Sequence, residues 1–85
     1  MKQFAYTITD PQGIHARPAG LLVKEASRFQ SNITLQCNQK SGDAKRIFSV
    51  MGLSAVSGTQ VTVTAEGTDE DAAIQALELF FKENL

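Results

Sequence analysis

A single histidine occurs among the 85 residues, within the run Gly13-Ile14-His15-Ala16-Arg17-Pro18-Ala19-Gly20. Proline is tolerated in the first turn of a helix, where an amide hydrogen would lack a partner anyway. A helix is therefore expected to begin at about residues 16 to 18, with His15 at or just before its cap. Asp, Ser or Thr would stabilise that position by accepting a free amide, and a histidine there gives up roughly 1 kcal/mol of capping. Pro18 also biases Arg17 away from helical angles. Two locally unfavourable choices side by side mark a candidate functional site.

The chemistry suited to such a place follows from its electrostatics. Free amides at a helix start bind anions, and the positive end of the helix dipole adds to the attraction. An imidazole nitrogen that carries no proton is a nucleophile. Arg17 supplies a fixed positive charge able to make charge-assisted bonds to phosphoryl oxygens. Nucleophile, anion cradle and cation then fall within a few residues, as phosphoryl transfer requires. On these residues alone, an inert surface histidine and a phosphoryl-accepting one remain level. One His and one Cys cannot make a Cys/His metal site, so no metal and no cofactor is expected. Acids such as Asp69 and Asp71 are read as helix-capping residues.

Composition narrows the field further. A chain of 85 residues encloses one modest core, so residues 1–85 are expected to form a single domain with its function on the surface. With 42% hydrophobic and 20% charged residues it reads as globular and not disordered. No run approaches the roughly 18 to 20 apolar residues of a membrane span. The opening MKQFAYTITDPQG lacks the pattern of a signal peptide, so a cytoplasmic protein without direct membrane insertion is expected. The lone Cys37 continues the Ile33, Leu35 alternation and is read as buried filler. The net charge of −1 hides an asymmetry. Residues 11 to 60 carry Arg17, Lys24, Arg28, Lys40, Lys45 and Arg46 against Glu25 and Asp43, a balance of +4, whereas residues 61 to 85 amount to −5. If the basic half forms a face, its partner is acidic. Nucleic acid is not expected, because no aromatic platform accompanies the basic residues.

The elements that must hold His15 in place can be read from periodicity. Phe4, Tyr6 and Ile8 alternate as a half-buried strand ended by Asp10-Pro11-Gln12-Gly13. Ala19, Leu22, Val23 and Ala26 recur at helical spacing. Ile33, Leu35 and Cys37 mark a second strand, and the polar run Asn38 to Gly42 turns into a short third one. Ile47 to Leu53 predicts a brief helix, and Val61, Val63 and Ala65 a fourth strand. In the last helix Thr68 and Asp71 form a capping-box pattern, and Ile74, Leu77 and Phe81 a buried stripe. The order β-α-β-β-α-β-α predicts an α/β (α+β) fold in two layers, three helices on one face of a four-stranded, mainly antiparallel sheet.

The segment GIHARPAGLLVKEASRF strongly resembles the active-site segment of the HPr family, the phosphocarriers of the bacterial phosphoenolpyruvate-dependent sugar phosphotransferase system. The likeness extends over essentially the whole chain, through the MGL near the end of the short helix and VTVTAEGTDEDAAIQAL. It implies an open-faced β-sandwich phosphorylated on Nδ1 of His15, with backbone amides of Ala16 and Arg17 and the Arg17 side chain assisting. It implies enzyme I as donor and sugar-specific enzyme IIA domains as acceptors. The protein would be a covalent carrier and not a turnover enzyme, and it is expected to be a monomer. By position, Gly20, Leu21, Lys24, Ile47, Phe48 and Met51 would form the docking surface, since a helix as short as 47 to 53 cannot hide all its apolar residues.

Two other functions compete with sugar uptake. One is the same chemistry in a regulatory, nitrogen-related phosphotransfer branch. The other is a non-carrier module that binds a regulator through this face, against which the retention of His15 argues. The sequence also departs from the family at Arg46, where many members carry a serine that caps the short helix and in some lineages is phosphorylated. Arginine has no hydroxyl, so a seryl switch is not expected there, and Ser49 is read as a plain helix residue.

Overall fold

A computed structural model describes residues 1–85. Four strands and three helices follow one another as β1 (Lys2–Thr7), α1 (Ala16–Ala26), β2 (Asn32–Cys37), β3 (Lys40–Asp43), α2 (Ile47–Met51), β4 (Gln60–Glu66) and α3 (Glu70–Asn84). The expected order of elements and the two layers are found. The strands form one sheet in the order β1-β4-β2-β3, with all neighbours antiparallel. β4 is thus inserted between β1 and β2, bringing Phe4 and Leu35 into register on either side of Val63.

Alternation explains which face of the sheet is covered. Ile33, Leu35 and Cys37 on β2 and Val61, Val63 and Ala65 on β4 are buried, while Thr34, Gln36, Thr62 and Thr64 lie on the opposite, open face. The helices close the apolar face with Ala19, Leu22 and Ala26 of α1 and Ala73, Leu77 and Phe81 of α3. Phe81 lies edge-on to both Phe4 and Tyr6, each at 5.6 Å between ring centres. Cys37 belongs to this core, and burial pushes its thiol pKa up against the smaller opposing pull of Lys40.

The β2–β3 hairpin forms where the polar run placed it, with Asn38 and Gln39 making the turn, both at positive φ as in a type I′ turn. Several local expectations change. Gly42 lies inside β3, where a Cβ would come within 2.8 Å of the Ser49 carbonyl oxygen, so its bareness lets α2 pack onto the strand. Thr68 does not cap α3. Asp69 occupies the cap position, yet its carboxylate reaches across the chain to the Gln30 and Ser31 amides and the Ser31 hydroxyl. Glu70 turns back to the Gly67 amide. In α3 the buried stripe is Ala73, Leu77 and Phe81, with Ile74 only half-buried at its margin.

Candidate functional site

The loop before α1 is built tightly. The Gly13 amide donates to the Asp10 carbonyl at 2.9 Å, closing the Asp10–Gly13 turn, and the Gln12 amide donates to Asp10 Oδ1 at 2.8 Å. Gly13 has φ +66°, and the Ile14 amide beyond it donates to the Ala55 carbonyl. From the other side the Leu85 carbonyl oxygen accepts the Thr9 and Asp10 amides and the Thr9 hydroxyl. The chain is thus fixed on both flanks before it delivers His15.

His15 is the N-cap residue of α1, with extended backbone (φ −108°, ψ −176°) and no capping bond from its side chain. Its carbonyl accepts the Ala19 amide at 2.9 Å, the first bond of the helix. The N–H groups of Ala16 and Arg17, in the first turn, have no helical acceptor, and Pro18 after them has no amide hydrogen to satisfy. Arg17 adopts helical backbone despite the proline that follows, so the expected departure from helical angles does not occur. Packing accounts for it: Pro18 and Ala19 are buried and seat this turn on the core.

The half-buried His15 side chain opens onto a shallow cleft of about 250 Å³ lined by Asp10, His15, Arg17, Pro18, Leu21 and Asn84. Of the residues singled out in the sequence, the cleft brings together His15, Arg17 and Leu21. Asp10 and Asn84 join them without having been anticipated. Asp10 was legible only as a turn residue, and Asn84 arrives from the far end of the chain on α3, a placement no local pattern encodes.

The remaining candidates lie on α1 and α2, outside the cleft. Gly20 faces Ile47, whose Cδ1 would lie 3.9 Å from a Cβ at that position, and here α1 meets α2. Val50 and Leu53 are buried and hold the short helix down, Ile47 is half-buried against the core, and Phe48 is left 85% exposed. Leu21 (44%) and Met51 (40%) are also exposed. Lys24 is exposed in the last turn of α1, outside the cleft. Lys45 donates its ammonium to the Phe29 carbonyl at 2.7 Å and ties the start of α2 to the end of α1.

A histidine whose side chain is not spent on capping thus lies beside an open helix end, in a shallow surface depression. Fold and site together have the build of a group carrier. The family model described as the PTS HPr component phosphorylation site matches residues 2–83. The phosphocarrier protein HPr of Mycoplasma capricolum subsp. capricolum is 50% identical over 78 residues, spanning 92% of this chain and 88% of that protein. A solved histidine-containing phosphocarrier protein from Mycoplasma superposes with a TM-score of 0.94 at 46% identity, covering 96% of this chain and 93% of that one. The chain belongs to the HPr family of phosphocarriers of the phosphotransferase system. A solved HPr dimer from Thermoanaerobacter tengcongensis is 40% identical, with a TM-score of 0.78 over 98% of this chain and 95% of that one. No helix is long and apolar enough to cross a membrane.

Proposed function

We propose that this protein accepts a phosphoryl group from phosphorylated enzyme I onto Nδ1 of His15 and donates it to sugar-specific enzyme IIA domains. The observation that carries the reading is the placement of His15. It is the N-cap residue of α1 with its side chain unused for capping, beside the open amides of Ala16 and Arg17. The Nδ1 lone pair attacks phosphorus, and the N–P bond forms as the bond to the donor breaks, its electron pair leaving with the donor. The proton stays on Nε2, so the ring becomes positively charged as its Nδ1 takes on the negative phosphoryl group. The Ala16 and Arg17 amides and the Arg17 guanidinium receive those oxygens as charge shifts, and they need little reorganisation to do so. On transfer to an acceptor the same bond breaks and its electrons return to the ring.

Docking falls to Gly20, Leu21, Lys24, Ile47, Phe48 and Met51, with Phe48 the central apolar anchor. The carrier works as a cytoplasmic monomer, since the surface presented to one partner must be bare for the next. Incubation with phosphoenolpyruvate, magnesium ion and enzyme I tests the proposal. The phosphate acquired is expected to be acid-labile and base-stable, as an N–P bond is, and an acid-stable product would overturn the assignment to histidine.

A further inference from the structure

Asp10 is half-buried and lines the cleft with His15, Arg17 and Asn84. The turn holds it firmly. Its carbonyl accepts the Gly13 amide, its own amide donates to the Leu85 carbonyl at 2.9 Å, and its Oδ1 accepts the Gln12 amide at 2.8 Å. None of these bonds needs a charge, because asparagine or serine accepts the same amide in such a turn. Oδ2 takes no hydrogen bond, and no cation pairs with this carboxylate. Arg17, the one cation lining the cleft, is exposed on a long, flexible stem, and α3 adds only the uncharged Asn84. The charge that the fold fixes in the cleft is therefore negative. Its sign opposes the reception of a phosphoryl group, since the carboxylate repels what the Ala16 and Arg17 amides attract.

We propose that Asp10 is a selectivity residue: its fixed negative charge keeps small free phosphate anions away from His15, so that a phosphoryl group enters the cleft with a docked protein donor. Inorganic phosphate and low-molecular-weight phosphoryl donors are anions, and they meet the carboxylate with no other contact to offset the repulsion. A protein donor offsets it with binding energy from surfaces remote from the reacting atoms. The inference rests on the phosphoryl-accepting role proposed for His15 and adds what that site turns away.

The probe is phosphoramidate, which transfers its phosphoryl group without an enzyme. The lone pair of a His15 ring nitrogen forms the new N–P bond as the donor's P–N bond breaks, and the donor's ammonium nitrogen takes that electron pair and leaves as ammonia. Rates of His15 phosphorylation are measured for the unmodified protein, Asp10→Asn and Asp10→Ser, both of which keep an acceptor for the Gln12 amide. Measurements are made at ~0.1 M and ~1 M salt, between which the screening length contracts from about 10 Å to about 3 Å. At the lower salt each variant is expected to react about threefold to tenfold faster than the unmodified protein, with the difference shrinking at the higher salt. Equal or slower reaction of the variants overturns the proposal. So does an acceleration that salt leaves unchanged, which belongs to an opened loop and not to a charge. Failure of enzyme I and phosphoenolpyruvate to label His15 of the unmodified protein overturns instead the carrier reading, and this inference with it.

Discussion

The Ala55 carbonyl oxygen accepts the Ile14 amide at 2.9 Å and lies 2.2 Å from the point where a Cβ on residue 13 would sit. Gly13 is thus required twice, by contact with backbone that cannot swing aside and by its φ of +66°. Gly13→Ala is expected to cost at least about 2 kcal/mol of stability, the scale of a strained backbone, and to slow phosphoryl transfer by displacing the loop that presents His15. Urea unfolding together with transfer rates checks this. Stability within about 0.5 kcal/mol of the unmodified protein would mean that the loop absorbs the methyl group.

Arg17 is exposed at the mouth of the cleft and takes part in no ion pair. Arg17→Ala should slow transfer by about 2 to 4 kcal/mol, the range for removing one preorganised electrostatic group. Its effect on folding should stay within about 0.5 kcal/mol. Unchanged transfer kinetics would leave the phosphoryl group to the backbone amides alone.

Ile47 and Phe48 are neighbours in sequence but differ in burial, and the difference separates their roles. Phe48→Ala should weaken binding to enzyme I by more than about 1 kcal/mol while leaving stability nearly unchanged. Ile47→Ala should reduce both, because this half-buried side chain packs against the core and against Gly20. Calorimetric titration and thermal melting on the same samples resolve the two. A Phe48→Ala variant that melts early and binds normally would place Phe48 among structural residues.

Much of this arrangement was legible in the sequence. The alternation of Val61, Val63 and Ala65 and the helical spacing of Ala19, Leu22 and Ala26 encode burial locally, and each element formed as expected. Pro18 marked the start of α1, which placed His15 at its cap. Long-range pairing was not legible: nothing in β4 itself says that it lies between β1 and β2, and nothing near residue 10 says that Asn84 joins the cleft. Asp69 misled for the same reason. Beside Thr68 and Asp71 it resembles a local cap, whereas its hydrogen-bond partners Gln30 and Ser31 lie 39 and 38 residues away. Arg17 misled in the opposite direction, because burial of Pro18 and Ala19 outweighs the local preference of a residue before proline.

The bonds that Asp69 receives from Gln30 and Ser31 give the fold a defined acid response. The Ser31 hydroxyl, and after it the Gln30 amide, hold the Asp69 carboxyl below the usual aspartate range, with the Ser31 amide adding to the effect. A pKa depressed in the folded state contributes stability that is fully present above the unfolded value of about 3.9 and is lost as pH falls through the folded value. Thermal stability should therefore fall as pH drops below about 4, and Asp69→Asn, less stable at neutral pH, should show a shallower fall. Glu70, held down by the chain's amino group and then by the Gly67 amide, keeps a residual slope in that variant. Parallel melting curves for the two proteins would contradict a role for Asp69.

The central claim is that His15 carries the phosphoryl group on Nδ1. It is tested most directly by phosphorus and nitrogen magnetic resonance on protein labelled with ¹⁵N in its imidazole ring and phosphorylated by enzyme I and phosphoenolpyruvate. One phosphorus signal coupled to Nδ1 of His15 is expected, and none in a folded His15→Ala variant. Phosphate on any other residue, coupling to Nε2, or labelling of the alanine variant would contradict the account.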